Sequence, residues 1–279
     1  MHFIPFIFAF SIFYLSCYQH IPSRFTKSSP KHILTTMSKY KTLHLWMLIP
    51  MVLMQFGIFR DYWGDFTDNA WSVHIHYWTG TIWYLYLILQ PYYATHGQLV
   101  RHRTNGIIGM FLAGGVCVTA FSMLYRDIVN ADRSAELRDA FGPFEPWFFM
   151  GVAAVEIVMI IAFGYAIIMS IIKRKSLEDH AWWLITTVFI IMMPPLGRGI
   201  QNVYVFSQVE NWPDIPIMPP VYFTQGLIIL LILLAAWKYQ KLKHPATYLA
   251  VFVNVYTCFL ELLGRSEAVD AFLRYVIKG

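Results

Sequence analysis

Long apolar runs, separated by short turns rich in charge, set the pattern of this chain. Seven such runs lie at 43–60, 75–95, 104–125, 147–172, 181–206, 220–238 and 246–264. Each is about 18 to 25 residues long, enough for a helix to cross a hydrocarbon core about 30 Å thick. None alternates apolar and polar residues as a barrel strand does, and backbone groups in lipid must bond within their own segment. The pattern therefore predicts an all-α, polytopic transmembrane helix bundle of about seven core spans. Residues 1–17 form a further apolar run without a preceding Lys or Arg or a clear cleavage site, which is not the pattern of a secretory signal. Residues 1–36 read as an N-terminal extension, either an extra helix or the result of an upstream start, because Met37 opens an ordinary first span. The bundle then occupies 37–265. Residues 266–279 read as a C-terminal interfacial helix, with Val269, Phe272, Leu273 and Val276 at helical spacing. A second amphipathic piece is expected at 131–141, on a loop.

Composition agrees with lipid as the main solvent. The chain is 57% hydrophobic and 13% charged, about half the charged fraction of a soluble domain, with a mean hydropathy of +0.50. The net charge of +5 is topological. Lys39 and Lys41, Arg101 and Arg103, Lys173 to Lys175, and Lys238, Lys241 and Lys243 fall on alternate turns and so share one side, the cytoplasmic one. Asp61, Asp65, Asp68, Asp127, Asp132, Glu136, Asp139, Glu145, Glu210 and Asp214 mark the other. Lipid is thus the expected partner and nucleic acid is not. Trp71, Trp78, Trp147, Trp182, Trp183, Trp212 and Trp237 stand near span ends and read mostly as interface anchors. Cys17, Cys117 and Cys258 have no paired spacing and read as small apolar filler.

Polar side chains within the spans carry the candidate chemistry, because they are costly there. His96, His102 and His180 fall at the cytoplasmic ends of spans two, three and five. Imidazoles from different helices at one depth suit haem iron or a transition metal, and His102 with His180 is the pair that could face across a haem. At the outer end, His76 lies deeper than His74. Glu156 sits about nine residues into span four, and Arg198 and Asn202 share a face of span five. A Glu156–Arg198 pair would lock two helices. Span five is interrupted at 192–199, MMPPLGRG, where two prolines remove backbone donors; such breaks line binding sites in transporters. Gly106, Gly109, Gly114 and Gly115 give span three a small face for close packing. The last span lacks the lysine of a retinal protein, and no phosphate loop, nucleophile elbow, CxxC or HExxH occurs.

The segments HRTNGIIG at 102–109 and HAWWL at 180–184 resemble the two motifs of the DUF2306 group of bacterial membrane proteins. His102, Arg103 and Gly106 match the first motif, His180 and Trp183 the second, and Arg198 a following arginine. The resemblance covers about residues 70–205. It implies a multi-helix protein of a bacterial inner membrane in which His102 and His180 act as a pair; it brings no assigned reaction. Three functional expectations follow from the residues. The first is a redox protein holding haem b or a metal through His102 and His180, with His96 and His76 as further ligands. The second is a transporter or small-molecule receptor at the broken fifth span, using Glu156, Arg198 and Asn202. The third is a non-catalytic subunit of a larger membrane complex, which, like a redox partner, would be a protein partner.

Overall fold

The computed structural model describes residues 38–278. The expected N-terminal extension lies outside the described residues. The chain divides into two units, Met1–Tyr40 and Lys41–Gly279, and the second carries every helix named below.

The elements are α1 (Leu43–Trp46), α2 (Leu48–Ile58), α3 (Trp71–Thr95), α4 (Leu99–Glu136), α5 (Arg138–Phe141), α6 (Pro146–Ile172), α7 (Leu177–Ile190), α8 (Met193–Ser207), α9 (Met218–Lys238), α10 (Pro245–Thr257), α11 (Leu260–Gly264) and α12 (Glu267–Lys278). No strand occurs among the described residues. Five helical runs are long and apolar enough to cross a membrane: Leu43–Gly64, Leu99–Glu136, Pro146–Ile172, Leu177–Ser207 and Met218–Lys238. The chain is therefore an integral membrane protein by its helices, with five such runs where the hydropathy pattern suggested about seven. The two others differ for physical reasons. α3 is long enough at 25 residues, but Ser72, His74, His76, Thr79, Thr81 and Gln90 dilute its apolar content. The seventh run is divided at Cys258 and Phe259 into α10 and α11.

Local chemistry explains where helices begin. Pro146, Pro194, Pro219 and Pro245 each stand in a first turn, where the missing N–H has no intrahelical role. α10 is also capped by His244, whose Nδ1 accepts from Ala246 N at 3.1 Å. α3 ends at a glycine with φ +75°, Gly97, a left-handed position that glycine adopts without strain. The chain then reverses into α4.

α4 packs between α3 and α6, α6 packs on α7 and α11, and α2 lies along α8. The α2–α8 contact is made by backbone: a Cβ on Gly57 would overlap the Pro195 carbonyl, and one on Gly199 would overlap Gly57. Trp182 and Trp183 are buried at 1% and 3% exposure, so these two belong to the core rather than to the interface. Trp182 Nε1 donates to Thr247 Oγ1 at 2.9 Å, tying α7 to α10. Trp71 and Trp237 are exposed as expected of anchors. In the glycine face of α4, Gly109 lies against Tyr86 and Gly115 against Thr79, whereas Gly106 and Gly114 face open space.

At the basic end, Lys241 reaches Glu178 at 3.0 Å and Asp179 at 3.6 Å, and His244 Nε2 lies 3.4 Å from Asp179. These contacts pin the turn after α9 to the first turn of α7. Burial pushes the His244 imidazole below its usual value, and the Asp179 carboxylate pulls the other way.

The segment at 131–141 is not a separate amphipathic helix. α4 continues through Glu136, and only the single turn α5 follows before Gly142. α12 packs a stripe of Val269, Leu273 and Ile277 on the α4–α6 core that includes Leu124, Ile128 and Met150, while Phe272, Tyr275 and Val276 point outward. Asp132 of α4 holds Arg274 at 2.7 Å and Lys278 at 2.6 Å. Half-exposed pairs of this kind each contribute about 0.2–1 kcal/mol. Asp132→Asn is therefore expected to speed amide hydrogen exchange several-fold within α12 and nowhere else. Unchanged exchange would assign the docking to the apolar stripe alone.

Candidate functional site

Two sites take shape at opposite ends of the bundle. At the basic end, His102 stands in the first turn of α4 and His180 in the first turn of α7. The last four carbonyls of a helix have no partner within it. One of them, Ser170 O of α6, lies 2.8 Å from His180 Nδ1. A carbonyl only accepts, so Nδ1 carries the proton and Nε2 keeps its lone pair. This is how protein groups orient a metal-binding imidazole. The His102 ring leans on the Gln90 carbonyl of α3, and its Nδ1 is buried with no hydrogen-bond partner. The Gln90 side-chain amide, Nε2 and Oε1, is likewise buried and unpartnered.

The two imidazole centroids are 6.2 Å apart with planes at 85°. That distance is informative. A metal–nitrogen bond of about 2.0–2.1 Å plus a ring radius of about 1.1 Å puts opposed ligands about 6.3 Å apart, and tetrahedral ones about 5 Å. The pair thus has a spacing at which both imidazoles could hold one metal centre. Among the described residues no cluster of three or more His, Cys, Asp and Glu is placed to hold a metal ion, so a four-ligand zinc site does not form. Gly106, one turn after His102, has nothing within 4 Å of a Cβ position, leaving that flank bare. Two imidazole donors, one of them with an orphaned buried nitrogen, are the groups at this end that could hold a metal or cofactor.

His96 and His76 do not join this pair. His96 stacks on Tyr92 at 4.3 Å, meets the edge of His44 at 5.4 Å, and bonds Tyr92 O through Nδ1 at 2.9 Å. Its place at the end of α3, before the Gly97 turn, swings it toward α1. His76 lies at the other end of α3, where its Nδ1 is 3.4 Å from Thr119 Oγ1.

There, α2, α3, α4, α6 and the broken fifth span enclose a cavity of about 100 Å3. His76, Tyr77, Arg126, Glu156 and Arg198 supply its polar wall, and Cys117 a thiol. The break falls at Ile191 and Met192, between α7 and α8, with Pro194 and Pro195 in the first turn of α8 and on the cavity wall. Carbonyls near the break find other partners: Phe189 O accepts from Asn254 Nδ2 at 3.3 Å and Val188 O from Tyr84 OH at 3.5 Å. The expected Glu156–Arg198 ion pair does not form. Arg198 donates instead to the Tyr77 hydroxyl, and Glu156 faces Asp127. One oxygen of each carboxyl, Glu156 Oε2 and Asp127 Oδ2, is buried without a hydrogen-bond partner. Asn202 stands outside the cavity wall and donates to Asp61 Oδ1 at 2.8 Å.

Asp127 and Tyr77 escaped the sequence reading. Asp127 was assigned to an outer loop, but α4 extends beyond it. The available signal was its place in one stripe with Met123, Leu124, Ile128 and Ala131, all buried. Tyr77 had no signal beyond its neighbour His76. Comparison with protein-family models, curated proteins and solved structures finds no match to the chain.

Proposed function

We propose that this integral membrane protein is a redox protein that holds haem b between His102 and His180, near the face bearing the basic turns. The observation that carries the reading is the 6.2 Å approach of two imidazoles from distant parts of the chain. The locked tautomer of His180 and the unpartnered Nδ1 of His102 support it. His102 and His180 would hold the group, and the Ser170 carbonyl would keep the His180 ring in orientation. A bound haem would supply one-electron chemistry. The chain's part is to fix two imidazoles at one depth, with Trp183 buried in the turn that follows His180. The resemblance in HRTNGIIG and HAWWL supports a bacterial inner membrane as the location, with a redox partner or larger membrane complex to exchange electrons.

The absorption spectrum of the purified chain tests this. A Soret band is expected, lost on His102→Ala and on His180→Ala and kept on His96→Ala. A colourless protein that takes up no added haemin sinks the proposal.

A second reading, a small-molecule receptor or transporter at the broken span, is favoured by a separate observation, the cavity lined by His76, Glu156 and Arg198.

A further inference from the structure

The cavity of the outer half has unspent hydrogen-bond donors in an apolar wall. A guanidinium has five N–H donors, and Arg198 gives one to the Tyr77 hydroxyl. Among the described residues no carboxylate reaches ion-pair distance of it. Tyr77 accepts from Arg198, so its own hydroxyl hydrogen is free to donate. Both side chains line the cavity, and Tyr77 is buried at 8% exposure. A guest that satisfies them must bring an acceptor.

The charges around the site decide what kind. Arg126 and Arg198 bring two positive groups, and Asp127 and Glu156 two carboxyls facing each other. Asp61 adds a third carboxylate near Arg198, tied to Asn202. His76 faces both arginines. No surplus of positive charge calls for an anion, and a carboxylate guest would meet Glu156. A cation would meet two guanidiniums. A neutral acceptor meets neither obstacle.

Most of the wall is apolar, with Met54, Ile58, Val116, Met159, Phe163 and Pro194 contributing. At about 10–15 Å3 per water, the 100 Å3 space takes a group the size of a six-membered ring. We propose that the cavity binds a neutral, lipid-soluble carbonyl compound of the quinone class, its carbonyl oxygen on Arg198 and Tyr77 and its ring among the apolar side chains. This inference rests on the small-molecule reading of the broken span and is independent of the histidine pair.

Cys117 on the wall provides the readout. In the full chain carrying Cys17→Ser and Cys258→Ser, the rate of N-ethylmaleimide labelling at Cys117 is measured in detergent. Decylubiquinone, whose ring has no free position for thiol addition, is expected to slow labelling at least threefold. Tyr77→Phe is expected to raise the concentration needed by about three- to tenfold, the worth of one hydrogen bond. Arg198→Met is expected to abolish protection. Should that variant not fold, Tyr77→Phe alone decides, and an unchanged requirement there overturns the assignment. Decanoate and decanol are run in parallel. Protection by decanoate or decanol but not by the quinone overturns the ligand class and keeps a small-molecule site. Protection by none of the three overturns both.

Discussion

Gly57→Val is expected to destabilise the protein by about 2–3 kcal/mol, seen as a melting temperature lower by several degrees in a detergent thermal scan. The reason is where the new atoms would go. Gly57 lies in α2 against the turn that begins α8, and a Cβ there overlaps the Pro195 carbonyl oxygen and crowds Leu196 N. Both are backbone, so no rotamer change relieves the contact. Overpacking of this kind typically costs 1–3 kcal/mol. The proline ring holds that backbone rigid, which places Gly57 toward the upper end. Gly114→Ala is the matched control. Nothing lies within 4 Å of its Cβ position, and removing a helix-interior glycine stabilises by about 0.5–1 kcal/mol. Equal effects at the two positions would show that α2 and α8 do not meet as described.

Trp182→Ala is expected to cost roughly 3–5 kcal/mol, the range for emptying a buried aromatic site. Trp182 is 1% exposed and bonds Thr247, so the substitution opens a void between α7 and α10 and removes the donor that joins them. Trp182→Phe keeps much of the ring volume and loses the hydrogen bond, worth about 0.5–1.5 kcal/mol. Trp237→Ala, at 72% exposure, is expected to stay within about 0.5 kcal/mol. If Trp182 and Trp237 respond alike in unfolding by denaturant, Trp182 is an interface anchor after all.

These tryptophans show what could and could not be read in the sequence. Helical class, membrane residence and the grouping of basic turns were visible, since apolar run length and charge need no tertiary knowledge. Trp182 and Trp183 could not be told from Trp237, because all three sit near span ends and only helix packing decides which are covered. The break in the fifth span was legible from Pro194 and Pro195, whose chemistry is local. The approach of His102 and His180 was legible as a shared depth. The orienting contact to Ser170 was not, because it depends on how the turn at 173–176 folds back. Arg198 was correctly placed in the interior with the wrong partner. A carboxylate was the natural choice, and the longer reach of a guanidinium found Tyr77 on α3 instead. Five of the expected spans are helical runs long and apolar enough to cross a membrane; the other two fall where hydropathy is least informative, in the Tyr- and Trp-rich α3 and in the run that Cys258 and Phe259 divide.

The backbone contact of Gly57 with Pro195 has a consequence for motion. Backbone packed this closely ties α2 to α8, and Phe56 against Gly199 and Arg60 over the Phe206 ring add to the tie, so the two helices are expected to move as one slab. Widening of the outer chamber then means parting that slab from α3, α4 and α6. The bonds strung across the seam to α3 include those from Arg198 to Tyr77 and from Gln55 to Thr81, so a guest that takes that guanidinium also removes one tie of the wall it must pass.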